Sequence, residues 1–268
     1  MKIVFDIGGT HIRVGRADGE ALRDAKRAAT PTDGERGFQT LCELIERLAP
    51  DEGVEAVAGG IAGILREDGA VIVSPNMPGW DGFPLAAKLT QHFHIPITVH
   101  NDALLAALGE ARYGAGRGSR VVAHLRIGTG VGGARVVDGA LEAHAKGFEP
   151  GHQVINLENG ATLESMVGGS ALAKRNGAPA SALTHDVYRA ATRALAAGVW
   201  NAIVHWSPDV VVLGGSLMNE NTAFRITEVR EETAKLRTVL PELPEIRVGT
   251  LGDDAGLYGA IALLVKNV

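Results

Sequence analysis

Three glycine-rich turns and one aspartate at a strand-to-helix junction carry the chemistry legible in this chain. Asp6-Ile7-Gly8-Gly9-Thr10 sets a carboxylate ahead of two adjacent glycines and a hydroxyl. Without Cβ atoms, the backbone N–H groups of such a turn can converge on an anion. Thr10 adds a hydroxyl donor. Asp6 would repel a bare phosphate, but it suits one carrying Mg²⁺, reached through metal-bound water because that ion keeps much of its hydration. The same residues also read as an ordinary hairpin turn. Gly128-Thr129-Gly130-Val131-Gly132-Gly133 forms a second loop, with Thr129 as its hydroxyl and without the lysine of a P-loop. Taken alone it reads as a turn. Gly214-Gly215-Ser216 follows the apolar run Val210–Leu213. Glycines at the end of a buried strand leave room for a nucleotide base or ribose, with a plain turn as the other reading.

Asp102 stands between the β-like run Ile97–His100 and the helical stretch Ala103–Tyr113. That is the carboxyl edge of a sheet, where ligands of α/β proteins gather. A carboxylate there can accept the proton of an alcohol attacking a phosphoryl group. Taken alone, the position reads as a helix N-cap worth about 1 kcal/mol.

These residues need elements to hold them. Short β-rich runs at Lys2–Asp6, Ile12–Ala17, Val54–Ile61, Ala70–Val73, Ile97–His100, Val121–Ile127, Gly133–Val137, Val210–Leu213 and Glu245–Val248 alternate with helical patterns at Gly37–Leu48, Pro84–Phe93, Ala103–Tyr113, Thr162–Val167, His185–Val204, Asn221–Lys235 and Ala255–Lys266. This is an α/β pattern. In a Rossmann unit the first strand enters a glycine turn and then a helix. Here strand, glycine turn, strand and Asp18-Gly19 make a hairpin, and Val121–Asp138-Gly139 repeats the device. The repetition points to an internal duplication, with the halves meeting near Asn101–Ala103.

Composition narrows the class. The chain has 268 residues, of which 46% are hydrophobic and 21% charged, enough apolar mass for a large core in one or two domains. A formal net charge of -5 argues against a general nucleic-acid binder. The single cysteine, Cys42, excludes an intramolecular disulfide and a multi-cysteine zinc site. No signal-peptide pattern and no apolar run of about 18 residues is present, so a cytoplasmic protein without membrane contact is expected.

Taken in order, the three glycine turns resemble those of the sugar kinase, actin and heat-shock ATPase superfamily. Ser74-Pro75-Asn76-Met77-Pro78-Gly79-Trp80, His100-Asn101-Asp102-Ala103, Gly128-Thr129-Gly130, Glu149-Pro150-Gly151-His152, Thr162-Leu163-Glu164-Ser165 and Leu251–Ala260 resemble the ROK family (repressors, open reading frames, kinases) nearly end to end. The resemblance implies an α/β, two-lobed actin-like ATPase (ribonuclease H-like) fold with a cleft between the lobes. The expected lobes are 1–101, joined by the C-terminal helix 255–268, and 102–254. It implies an ATP-dependent hexose kinase, acting on glucose at O6, with Asp102 as general base. Asn76, Asn101, Asp102, Glu149, His152 and Glu164 would bind the sugar. Asp6, Gly8, Gly9, Thr10, Gly128, Thr129, Gly130, Gly214 and Gly215 would bind the nucleotide, and Asp6 would hold Mg²⁺ through water. Partners would be a sugar and a nucleotide, in a homodimer. An N-acetylhexosamine kinase (N-acetylmannosamine or N-acetylglucosamine) and a non-catalytic sugar-binding ROK protein are the alternatives.

Two departures from the family stand out. Its cysteine-rich zinc loop corresponds here to Gln153–Thr162, which contains no cysteine, so no zinc is expected and His152 is left as a sugar ligand only. The helix-turn-helix domain of family repressors is not expected either, because the nucleotide-binding motif begins at the first residues. Trp80 reads as packing under the Pro-Gly turn. Arg13 and Arg126 adjoin the phosphate loops but are left out, since strand alternation could turn them elsewhere. The remaining histidines read as structural or surface residues.

Overall fold

Strand β1 (Lys2–Ile7) is buried from Ile3 onward because it lies mid-sheet with both faces covered. In the computed structural model, residues 1–49, 53–142, 147–219 and 223–265 are described. They fall into two compact units, Met1–Gly109 with Asp254–Val268, and Glu110–Asp253.

The first unit holds β1, β2 (His11–Asp18), β3 (Ala21–Ala29), β4 (Ala56–Ile61) and β5 (Ile97–Asn101) in the order β3-β2-β1-β4-β5. The first three strands are antiparallel, and β4 and β5 run parallel to β1. Parallel neighbours need crossovers, supplied by α1 (Gly34–Leu48) and α2 (Leu85–Phe93). Asp33 caps α1 by accepting from the Arg36 N–H at 2.9 Å. Ile3, Phe5 and Ile7 pack with Leu41, Ile45, Trp80 and Leu85. Trp80 is fully buried and donates its indole N–H to the Pro31 carbonyl at 3.1 Å, a packing role as expected. α3 (Asp102–Arg112) begins in this unit. The division falls inside α3, seven residues beyond Asp102, rather than before it. The helix's early turns pack against the C-terminal helix Ala255–Leu264 of the same unit.

The second unit repeats the plan. β6 (Val121–Ile127), β7 (Val131–Val137), β8 (Ala140–Leu141), β9 (Val210–Gly214) and β10 (Glu245–Val248) stand in the order β8-β7-β6-β9-β10. The first three are again antiparallel and the last two parallel to β6. The duplication read from two hairpins thus extends to five strands each. Asp138 and Gly139 both have positive φ, at +51° and +67°, as a two-residue I′ hairpin turn demands. Around the sheet lie α4 (Leu163–Val167), α5 (Gly169–Asn176), α6 (His185–Trp206) and α7 (Ile226–Lys235). Leu195, Val199 and Ile203 of α6 reach Leu125, Val211 and Leu213 in the core. The helix expected over 221–235 starts at Ile226, and its first expected positions, 221–222, lie outside the described residues. So do 266–268, the end of the expected last helix.

His124, on β6, is fully buried and its Nδ1 finds no hydrogen-bond partner among the described residues. Desolvation, and then the Arg126 charge, push its pKa down to about 3. Above pH 6.5 the ring is neutral folded or unfolded, and stability is untouched. As pH falls from 6.5 toward 3, the unfolded chain takes a proton that the folded one refuses. Stability should then fall by about 1.4 kcal/mol per pH unit from this residue. Urea unfolding at pH 7.5 and 5.5 should show wild type losing more than His124→Val by about that amount. Equal losses would refute the assignment.

Candidate functional site

In the first unit, β1, β4 and β5 end level, with Ile7 beside Ile61 and Ile61 beside Asn101. The phosphate-type loop and Asp102 therefore leave the same sheet edge two strands apart, about 10 Å at normal strand spacing. Gly8-Gly9-Thr10 closes the β1–β2 hairpin through the Gly8 N–H to the His11 carbonyl at 3.0 Å. Gly9 and Thr10 lie exposed at its tip. Thr30 clamps the loop from outside. Its N–H donates to the Thr10 carbonyl (3.0 Å) and its hydroxyl to the Gly8 carbonyl (2.6 Å). Asn76 is exposed and comes so near that a Cβ on Gly9 would stand 3.3 Å from the Asn76 Cβ.

Asp6 is 1% exposed, and the hairpin register sets it opposite Arg13, whose Nη1 is 3.6 Å from its Oδ2. Arg13, left aside in the sequence, is thus the cation beside the first loop. Counting across the four-residue turn 8–11 would have found it. Thr30 has no such signal, because it belongs to the chain leaving an exposed strand.

At the junction of β5 and α3, Asn101 supplies the cap. Its Oδ1 accepts from the Ala103 and Leu104 N–H groups at 2.9 and 3.0 Å, and its Nδ2 donates to the Gly63 carbonyl at 2.9 Å. The cap reading of Asp102 is thereby removed, and one Asn101 amide N–H remains for a ligand hydroxyl. Asp102 is the first residue of the helix and is half-buried. Gly60 lies beneath it: a Cβ there would stand 3.0 Å from the Asp102 Cα.

The second unit builds its own cluster. The Gly128 N–H turns inward to the Gly130 carbonyl at 2.9 Å, and the carbonyls of Gly128 and Thr129 accept from the Gly169 and Ser170 N–H groups at 2.8 and 3.0 Å. The Thr129 and Gly130 amides have no partner among the described residues. Glu164 of α4 reaches this loop, accepting the Val131 N–H on Oε2 at 2.7 Å. Glu149 precedes and His152 ends one 3-10 turn, Pro150–His152, and both are exposed. That turn lies on Val131, because a Cβ on Gly151 would overlap the Val131 carbonyl. Gly214 makes room for the His124 ring, and Gly215, at φ +93°, lies against Ile127. Packing against His124 accounts for Gly214, and backbone conformation together with the close approach of Ile127 for Gly215.

Asp6, Gly8, Gly9, Thr10, Asn76, Asn101 and Asp102 thus gather in the first unit. Gly128, Thr129, Gly130, Glu149, His152, Glu164, Gly214 and Gly215 belong to the second. Among the described residues no group of three or more His, Cys, Asp or Glu forms a metal cage. A single hard carboxylate such as Asp6 fits Mg²⁺ that brings its own waters and phosphate oxygens, and no other arrangement of that ion.

The ROK family model matches residues 2–267. The chain belongs to the ROK family. A ROK hexokinase from Thermus thermophilus superposes with a TM-score of 0.83 at 30% identity, covering 98% of each chain. A ROK family glucokinase from Streptomyces griseus, solved with glucose and AMPPNP, gives 0.80 at 27% identity and again 98% of each chain. The N-acetylgalactosamine kinase of a Shewanella species is 29% identical over 98% of this chain and 96% of its own. The fold is accordingly the two-lobed actin-like ATPase fold. No helix among the described residues is long and apolar enough to cross a membrane.

In this ROK chain the cysteine-free segment after His152 closes by hydrogen bonds. Asn156 and Asn159 accept from the Glu158 and Ala161 N–H groups at 2.9 and 3.0 Å in two Asx turns. Gln153 ties the segment down, accepting from Asn201 Nδ2 at 2.7 Å and, through its carbonyl, from the Leu163 N–H at 2.9 Å.

Proposed function

We propose that this ROK-family sugar kinase transfers the γ-phosphoryl group of ATP to O6 of glucose, with Asp102 as general base. The observation that carries the reading is the division of labour at the start of α3: Asn101 caps the helix and Asp102 stands at the sheet edge shared with the Gly8–Thr10 loop. Phosphoryl transfer asks for positioning and charge stabilisation more than for covalent chemistry. Asp102 accepts the hydroxyl proton as the new P–O bond forms. The exposed amides and hydroxyls of the two glycine hairpins bind phosphate oxygens. Asp6 would hold Mg²⁺ through its water, and that ion, when bound, screens the triphosphate charge. Gly214 and Gly215 would lie along the nucleoside.

Asn76, Asn101, Glu149, His152 and Glu164 hydrogen-bond the sugar hydroxyls. Amide and carboxylate groups suit vicinal diols because each offers two bonds, and a buried hydroxyl left unpaired is penalised. The glucose and nucleotide analogue bound to the Streptomyces griseus relative support this substrate pair. Coupled ADP release should be measured with glucose, mannose, N-acetylglucosamine, N-acetylmannosamine and N-acetylgalactosamine. Glucose should give the highest kcat/KM and glucose 6-phosphate as product. Preference for an N-acetylhexosamine would overturn the substrate assignment. Glucose binding without ADP release would overturn the kinase.

A further inference from the structure

We infer that Glu164 is a positioning residue for the second phosphate loop as well as a sugar ligand, so that one carboxylate ties sugar binding to nucleotide binding. The inference rests on the proposed kinase reading for what the loop binds. Glu164 uses Oε2 to accept the Val131 N–H at 2.7 Å, directly after the loop. Its Oε1 has no protein partner among the described residues. The loop is shaped to admit this carboxylate: the three atoms nearest a Cβ built on Gly130 are all Glu164's, and the Cβ would overlap Oε2. Gly130 has no positive φ, so its missing side chain answers to Glu164 and not to backbone conformation.

The chain immediately after Glu164 holds the loop from the other side. The Gly168 N–H donates to the Glu164 carbonyl (2.8 Å), and the next two N–H groups, of Gly169 and Ser170, donate to the loop carbonyls of Gly128 and Thr129. Loop carbonyls thus face α5, and the Val131 amide is taken by Glu164. The Thr129 and Gly130 amides are left to point at an anion. A sugar hydroxyl donating to Oε1 fixes the rotamer that keeps Oε2 on Val131. The loop is then already ordered when nucleotide arrives, and affinity coupled in this way is reciprocal.

The test is a double-mutant cycle on nucleotide affinity, read by titration calorimetry with a non-hydrolysable ATP analogue and no sugar present. Glu164→Ala should weaken binding by about tenfold, as for loss of a charge-assisted hydrogen bond. Glu164→Gln, which keeps an acceptor for Val131, should stay within about threefold of wild type. Gly130→Ala should also weaken binding. Adding it to Glu164→Ala should cost nothing further, because the group it collides with is gone. Thermal melts confirm that each variant is folded. Wild-type nucleotide affinity in Glu164→Ala, or additive losses in the double variant, would overturn the inference while sugar turnover by wild type left the kinase reading standing. Failure of wild type to bind nucleotide would remove both.

Discussion

Asp102→Asn is expected to lower kcat by about 10²–10⁴-fold, the range for loss of one positioned general base. An amide has nearly the shape of the carboxylate but cannot take the hydroxyl proton. The structure separates this variant from the helix cap. The helix cap belongs to Asn101, through its bonds to the Ala103 and Leu104 N–H groups. Asp102→Asn therefore leaves the cap in place. It forfeits the attraction between a first-turn carboxylate and the helix dipole, about 0.3–1 kcal/mol. Asn101→Ala should lose the cap and the bond to Gly63, lowering stability by about 1 kcal/mol or more, and should raise the KM for sugar as well. Steady-state kinetics with a thermal melt on each variant separates the two roles. Near-normal turnover by Asp102→Asn with glucose would remove the base assignment.

The same junction shows what a sequence can and cannot disclose. The hairpins around Gly8-Gly9-Thr10 and Gly128-Thr129-Gly130 were legible because glycine pairs, Asp-Gly turns and apolar strands have local signatures. Both expected hairpins are present. β3 escaped notice because it is an edge strand: its residues Leu22–Lys26 carry three charges, lie mostly in solvent and show no apolar alternation. Charge on an exposed edge discourages further strand pairing, so the property that protects the strand also hides it. Which of Asn101 and Asp102 caps α3 was open for another reason. Both residue types cap well, and only the backbone path decides. Thr30 and Glu164 act on their loops across long stretches of chain, and nothing in local spacing marks such contacts. Arg13 was within reach, since it follows from counting the register of a hairpin already recognised.

Gly259→Ala should destabilise the protein, although alanine is the better helix former. In an unobstructed helix interior the change stabilises by about 0.5–1 kcal/mol. Here a Cβ would overlap the carbonyl of Leu105 on α3, and the obstructing atoms are backbone, not the yielding end of a side chain. Gly109 makes the reciprocal approach, its missing Cβ leaving room for the Ala255 carbonyl. The two helices therefore touch backbone to backbone and can accept a methyl group only by separating. Overpacking of this kind costs about 1–3 kcal/mol. At about 2–4 °C per kcal/mol for a chain of this size, Tm should fall by about 2–12 °C. Activity should fall too. Leu105 is one turn from Asp102 on the same helix, and Gly256, one turn before Gly259, lies over Asp6 with no room for a Cβ. A shift of the C-terminal helix thus disturbs Asp102 and the Asp6–Thr10 turn together. Misplacement by about 1 Å can lower a rate by about 10²-fold. The sign of the Tm change is the discriminating result: a rise would mean that propensity outweighs the close crossing, and that α3 is not held in place by this contact.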